Sequence, residues 1–504
     1  MTVQPVEKFS PYSTISAFGA ELPSIYSPHD VERIKAYQVY EQIYWDVPET
    51  FKLTMRGDDD NPIYIPTART IVDTTDRFIC AEPGFVIDPD VGSDSEQALA
   101  KTWLTALFRR ERWWSKFNSS KTYGIMRGDW VWHIIGNDLK PQGSRIKIEP
   151  VDPAAYFPVT HPDDPDRIIA VHIMEQFTDA NDEVFIKRQT YTKGADPVNN
   201  DGSDTSIWNS IAIMDTEAWQ NLSDKPVKVI KEPTALPPMI TAIPLYHIKN
   251  IETPGDPFGS SDIRGFERIM AAVNQAISDE ELTLALEGLG MYATDGGPPR
   301  DEQGAITDWV LGPGRVVEHT NGSKFARVSG VGTVEPYQSH LSFLINSLKE
   351  ASATPDAAVG KVDVSIAESG ISLLLQLSPM LAKRNKREDQ IGDVLTQMYF
   401  DLNSWLEAYE GVSTPAVAIP VWGDAVPVDR EKRFQEIMLI WNNGAGLADD
   451  DWARTELEKL GFNFDATDTE AVLNMMKARA DAVDPFATRA AGEVTAETEG
   501  TATP

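Results

Sequence analysis

The sequence predicts an α+β protein with more than one substructure, and three observations carry that prediction. Segments with helical spacing of apolar residues and segments rich in β-branched and aromatic residues fall in separate runs, a helical opening being followed by a run of strands. At 504 residues the chain exceeds the length over which one core usually keeps growing. Its 41% hydrophobic and 24% charged residues are ordinary globular values, which excludes wholesale disorder, a collagen-like repeat and a small disulfide scaffold.

The first predicted helix covers His29 to Tyr44, where Val31, Ile34, Ala36, Val39 and Ile43 recur at helical spacing before Pro48. A second begins at Ser93, where Ser93-Asp94-Ser95-Glu96 matches a capping box, and is expected to run to about Asn118. Leu99, Trp103, Leu104, Leu107, Trp114 and Phe117 form its apolar stripe beside Arg109, Arg110 and Arg112, a pattern of core plus solvated basic face. From Gly124 the pattern changes to strands. Asp129 to Ile135 and Arg145 to Ile148 flank a turn-rich linker as in a hairpin, with further strands over Arg167 to Glu175, Val184 to Thr192 and Ser206 to Met214. Asn199-Asn200-Asp201-Gly202 reads as a turn: Pro197 stands where a calcium loop needs its first ligand.

Helical spacing returns over Asp262 to Leu286, with Ser260 or Ser261 as N-cap and Gly288 and Gly290 at the end. Residues Met291 to Val331 lose that period, fill with Gly and Pro, and read as a small β insertion before another helix at Pro336 to Ser352. After a break at Asp356 to Val364, a second capping box, Ser365-Ile366-Ala367-Glu368, opens a long helix to about Tyr409, with a kink expected at Pro379. A strand at Val417 to Trp422, helices at Asp429 to Trp441 and Asp450 to Leu460, a final helix over Asp468 to Ala482 and a polar disordered tail complete the reading.

A formal net charge of −32 disfavours a protein that grips a nucleic-acid backbone, because tight binders present a basic face and gain from counterion release. The N-terminal residues show no basic stretch leading into an apolar run, and no segment has the length of a membrane helix, so the protein is expected to be cytosolic when made and to have no membrane partner. Cys80, the one cysteine, precludes an intrachain disulfide and reads as a small buried hydrophobe.

Enzyme signatures fail for physical reasons. Gly360-Lys361 resembles the end of a phosphate loop, but Pro355 replaces its first glycine and Val362 its metal-binding hydroxyl residue. The seven histidines show no zinc-like pairing, and Gly-x-Ser-x-Gly is absent. The clusters Asp58-Asp59-Asp60, Asp163-Asp164-Asp166 and Asp449-Asp450-Asp451 lie in loop or helix-start contexts where acids are common. No catalytic residue, metal site or cofactor is expected; the alternatives are a metal-dependent enzyme using those clusters, or another structural protein. Lys383, Arg384, Lys386 and Arg387 form the densest basic cluster, a solvated or salt-bridged face with DNA or a subunit interface as the functional reading.

Several stretches resemble the portal proteins of tailed bacteriophages, particularly those of actinobacterial siphophages. They are Gly128-Asp129-Trp130-Val131-Trp132 with Gly143-Ser144-Arg145-Ile146, Val151-Asp152-Pro153-Ala154-Ala155-Tyr156-Phe157-Pro158, Pro257-Phe258-Gly259-Ser260-Ser261-Asp262-Ile263, and Ala367-Glu368-Ser369-Gly370-Ile371-Ser372-Leu373. The succession of helix, β insertion, helix, break and long helix adds to the match. The resemblance implies a dodecameric ring with a mixed α/β wing, a helical stem, a small β-rich clip and a helical crown. Residues 1–258 would be the wing, 259–290 the first stem helix, 291–334 the clip and 335–353 the second stem helix. Residues 354–364 would be a tunnel loop, 365–428 the long wing helix and following strand, 429–482 the crown and 483–504 a disordered tail. Stem packing would fall to Ile263, Phe266, Ile269, Val273, Leu341, Leu344, Ile345 and Leu348, and the tunnel loop would present Asp356, Lys361 and Asp363, a mixed set suited to loose contact. The implied partners are double-stranded DNA passing without sequence specificity, the terminase large subunit, a head–tail adaptor, and the major capsid and scaffolding proteins. The implied location is the portal vertex of the virion, with assembly in the host cytoplasm.

Overall fold

The computed structural model describes residues 4–5, 27–47, 50–51, 53–54, 62–81, 83–161, 163–178, 183–197, 206–216, 219–220, 225–289, 291–295, 303–306, 324–328, 335–361, 370–423, 430–443 and 456–457. It is an α+β fold that divides into two units, Met1–Val421 and Trp422–Pro504. The second is represented by one helix, Arg430–Asn443, and the residues 422–423 and 456–457. All that follows concerns the first unit.

Helices α1 (Pro28–Tyr44), α2 (Thr67–Phe78), α3 (Asp94–Glu111) and α4 (Trp113–Arg127) open it, with the short strands β1 (Gln4–Pro5) and β2 (Gly84–Ile87) before α1 and α3. The single helix expected from Ser93 breaks at Arg112, whose φ of 55° is left-handed and turns the chain between α3 and α4. The start is as expected: the Ser93 amide donates to the Glu96 carboxylate at 2.8 Å. Helix α2, absent from the sequence reading, buries Ile71, Val72, Thr75 and Phe78, but Thr and Asp between them dilute the apolar spacing.

A hairpin of β3 (Asp129–Gly136) and β4 (Ile146–Val151) follows, then β5 (Tyr156–His161), β6 (Asp164–Thr178), β7 (Val184–Lys193), β8 (Ile207–Met214), β9 (Lys228–Ala235) and β10 (Leu245–Lys249). All pairings are antiparallel: β10-β3-β4 form one sheet, while β6 to β9 lie in sequence order with β5 and β1 along the free edge of β6. Helix α1 packs on this sheet through Ile34 and Tyr37, against Phe157, Met174, Ile186 and Trp219.

Helix α5 (Glu267–Leu289) leads into strands β11 (Met291–Thr294) and β12 (Phe325–Val328), which pair antiparallel and return the chain to α6 (Glu335–Ala351), packed against α5. Helix α5 starts later than expected because Gly265, at φ 90°, closes a turn over Ser261 to Phe266. Helix α7 (Gly370–Trp405) runs through Pro379 and ends in a π-helical turn, Leu406–Glu410, before β13 (Ala418–Val421), which pairs with β2. The Glu410 carboxylate accepts the Gly143 and Arg145 amides at 2.5 and 2.9 Å, fixing the tip of the β3–β4 hairpin. A core of Tyr40, Ile43, Ile71, Val72, Ile125, Met126, Ile263, Met270 and Leu348 joins α1, α2 and α4 to the roots of α5 and α6.

Candidate functional site: the root of the helix pair

Three of the stretches that set this sequence apart, those at Gly128-Asp129, Asp152-Pro153 and Gly259 to Asp262, meet at one place. Helix α4 ends at Gly128, whose φ of 111° suits glycine, and the next turn of chain crosses the segment entering α5. A Cβ on Gly259 would lie 2.2 Å from the Gly128 carbonyl oxygen, and one on Gly128 would lie 2.8 Å from the backbone of Ser260 and Ser261. Only glycine lets these two backbones approach so closely.

Asp129, the next residue, is fully buried, and its carboxylate secures the crossing. Oδ1 accepts the Gly259 amide at 2.7 Å and lies 2.6 Å from His247 Nε2, while Oδ2 accepts the Tyr37 hydroxyl at 2.5 Å. Burial, with the Asp129 charge beside it, pushes the Tyr37 phenol far above its ordinary range. Ser261 donates its hydroxyl to the Met126 carbonyl and accepts the Ile263 amide at 3.0 Å. Beside these, Arg127 joins Glu41 at 2.5 Å to Asp152 at 2.9 Å. Burial disfavours its charge, but the two carboxylates outweigh burial and hold the guanidinium ionised. Arg33 stacks on Phe258, 4.1 Å from the ring centre, and donates to the Pro153 carbonyl at 2.6 Å. A cleft of about 560 Å³ opens here, lined in part by Arg33, Arg127 and Arg264. Each of these arginines has a partner within the chain, Arg264 donating to Ser260 Oγ at 2.7 Å.

One turn further, Asp262 is the centre of a second buried cluster. Its Oδ2 lies 2.5 Å from Lys383 Nζ and its Oδ1 2.9 Å from Arg387 Nη2, and the Asn250 side-chain amide donates to Oδ1 at 2.9 Å. Burial alone would raise this carboxyl, but Lys383 and Arg387 hold it below the usual carboxylate value. The Lys383 ammonium also reaches Thr75 Oγ1 of α2 at 2.9 Å and the Ser352 carbonyl, just past α6, at 3.3 Å. Arg387 donates to the Asn250 carbonyl. On the same turn of α7, Arg384 donates to Glu388 at 2.8 Å, and Glu388 accepts the Cys80 amide at 2.7 Å. The Cys80 thiol is buried and pushed well up by that burial.

The basic cluster is therefore divided. Lys383 and Arg387 point into the protein onto Asp262, which corrects the expectation that they share a face available to DNA or another subunit; Arg384 is bound to Glu388, and Lys386 is exposed. A lysine and an arginine four residues apart read as one face of a helix in the sequence, and the buried acid that claims them lies far away in the chain. Asp356 and Lys361 are both exposed in a compact turn: the Lys361 amide donates to the Asp356 carbonyl at 2.9 Å, and the Asp356 carboxylate pairs with Lys349 at 2.5 Å. Asp363 lies outside the described residues. Ile263, Val273 and Leu348 are buried; Phe266, Ile269, Leu341, Leu344 and Ile345 are half-buried. Most of 291–334, the box Ser365 to Glu368, the turn Asn199 to Gly202, the clusters Asp58 to Asp60 and Asp449 to Asp451, and the regions 444–455 and 458–504 lie outside the described residues. Among the described residues no three His, Cys, Asp or Glu side chains converge to hold a metal ion, and no helix is long and apolar enough to cross a membrane.

No family model and no curated protein matches this chain. Among solved structures it is similar to a chain from the neck of an empty gene transfer agent particle computed with C6 symmetry, at 13% identity and a TM-score of 0.43, covering 89% of this chain and 98% of the other. A chain of the virion of a native gene transfer agent particle aligns at 12% identity and a TM-score of 0.42, over 89% of this chain and 97% of that one. A chain from the neck of a native particle computed with C12 symmetry aligns at 12% and 0.41, over 81% and 96%.

Proposed function

We propose that this chain is a structural protein of a tailed-phage head, the portal subunit, which closes into a ring around a channel for double-stranded DNA. The observation that carries the reading is the convergence of three of the resembling stretches on one crossing. Gly128-Asp129, Asp152-Pro153 and Gly259-Ser260-Ser261-Asp262 lie far apart in sequence yet bind one another directly or through Arg127 and Arg33 at the root of α5. From that root the chain runs through α5, the β11–β12 pair, α6, the turn 353–361 and α7, the order that stem, clip, second stem helix, tunnel loop and wing helix would take.

In this reading 1–258 is wing, 291–334 the clip that docks the terminase and later the adaptor, and 429–482 the crown. The chain performs no chemistry: the motor's ATP hydrolysis moves the DNA, and a net charge of −32 keeps a polyphosphate from being held by the wall. A head-to-tail contact repeated about a closing rotation makes the ring. The test is the native mass of the purified protein with end-on electron micrographs. Twelve copies of a 55.8 kDa chain predict about 670 kDa and a ring with a central hole. A monomer that stays monomeric in the presence of capsid and scaffolding proteins overturns the reading.

A further inference from the structure

The turn 353–361 leaves α6 through a left-handed residue, Ala353. The last backbone amides of the helix close through Ser352 to Leu348 and Thr354 to Lys349, at 3.0 Å each, with Ala353 between them at φ 56°. A helix end of this kind leaves carbonyls without intrahelical donors. The donor that meets the Ser352 carbonyl is the Lys383 ammonium, brought there from α7. Lys383 is in turn oriented by Asp262, on the chain entering α5, and steadied by Thr75 of α2.

We propose that Asp262 is the positioning residue that fixes where the turn 353–361 stands: it aims Lys383 at the end of α6 and locks Arg387, so that α7, the root of α5 and the departure point of the turn hold one geometry. Three charges are not needed to fill this space. Apolar side chains of similar volume can replace a buried ion cluster with little loss of stability, whereas charged hydrogen bonds specify direction. Asp262 uses both oxygens on two different side chains of α7, and Arg387 also holds the Asn250 carbonyl, so rotation or sliding of α7 breaks several directed contacts together. Beyond this cluster the turn is held by the packing of buried Thr354 and Ala358, by amide bonds within itself from Ala358, Val359, Gly360 and Lys361, and by the exposed pair of Asp356 with Lys349. The role in guiding DNA rests on the portal reading; the positioning does not.

Amide hydrogen exchange of the full-length protein tests it, comparing wild type with the charge-free triple variant Asp262→Leu, Lys383→Met, Arg387→Met. The expected result is a tenfold or greater acceleration at Thr354, Ala358, Val359, Gly360 and Lys361, with the paired amides of β3 and β4 unchanged. Asp262→Asn keeps the shape and one acceptor oxygen; it gives the same local acceleration in smaller measure and decides the matter if the triple variant does not fold. Unchanged exchange in the turn overturns the proposal, as does an equal rise in β3 and β4, the mark of general loosening. Native mass on the same samples separates the two readings. A loosened turn in a chain that never forms a ring keeps the positioning role and removes the portal; a ring with an unchanged turn does the reverse.

Discussion

Two junctions hold the helix pair to the body of this protein, three residues apart at Gly259 and Asp262, and they work by opposite means. At Gly128 and Gly259 the backbones themselves touch, and the contact exists because two side chains are missing. At Asp262 the elements stand apart and are joined by side-chain charge across 125 residues of sequence to Arg387. The first junction tolerates no added atom; the second tolerates no unmatched charge. A backbone crossing fixes position, and a directed charge cluster fixes orientation and can be remade by different chemistry.

That contrast orders the expected effects of mutation. The largest is at Asp262: Asp262→Ala leaves Lys383 and Arg387 buried without their carboxylate and is expected to lower stability by about 3 to 5 kcal/mol, read from denaturant unfolding. A loss under about 1 kcal/mol would mean that the two cations reach solvent and that the cluster is dispensable. Gly259→Ala comes next, at about 2 to 3 kcal/mol, because the new methyl meets a backbone oxygen that no rotamer change can move aside. The distinguishing result lies in repair. Removing Lys383 and Arg387 together with Asp262 should recover most of the first loss, whereas no change of a neighbouring side chain should recover the second.

The same contrast explains what the sequence revealed. Helices α1, α5, α6 and α7, the strands β3, β4 and β6 to β8 and the return between α5 and α6 were legible because period, capping residues and turn residues are local, whereas β5, β9 and β10 were not read as strands. Gly128-Asp129 and Gly259-Ser260 stand out in the sequence only through their resemblance to portal proteins; nothing local to either stretch shows that the two touch. The break at Arg112 was hidden, since a left-handed arginine has no sequence signature. So was α2, whose buried face includes threonines. The basic cluster was legible in part: Lys383, Arg384, Lys386 and Arg387 have the composition of a solvated or salt-bridged face, but the partners that draw Lys383, Arg384 and Arg387 inward are Asp262 and Glu388, the first of them 121 residues from Lys383. A local signal that could have pointed there was the single acid in Gly259-Ser260-Ser261-Asp262-Ile263, flanked by small and apolar residues, which is a poor environment for an unpaired carboxylate.

Acid should separate the two antiparallel sheets, β10-β3-β4 and β6 to β9, from the Asp262 cluster. His133, bonded to the Tyr191 hydroxyl at 2.8 Å, and His172, bonded to Thr190 at 2.9 Å, are both buried. Burial lowers His133 to about 4. Burial, with Arg188 nearby, lowers His172 to about 3. A histidine lowered in the folded state is protonated first in the unfolded chain, so its stabilising effect is complete above the ordinary value of 6.5 and falls as pH drops toward the folded value. Each is expected to remove roughly 1.4 kcal/mol between pH 7.5 and 5.5. Asp262, held below the ordinary 3.8, keeps its contribution throughout that range and loses it only as pH falls below 3.8 through its folded value. Calorimetry of wild type and His172→Gln at pH 7.5 and 5.5 should therefore show about half the acid sensitivity in the variant, while the amides of the turn 353–361 stay as protected relative to the rest of the unit at both values. An undiminished pH dependence in the variant would place the acid-sensitive group away from His172, and preferential loss of protection in the turn would make the Asp262 cluster the weaker of the two.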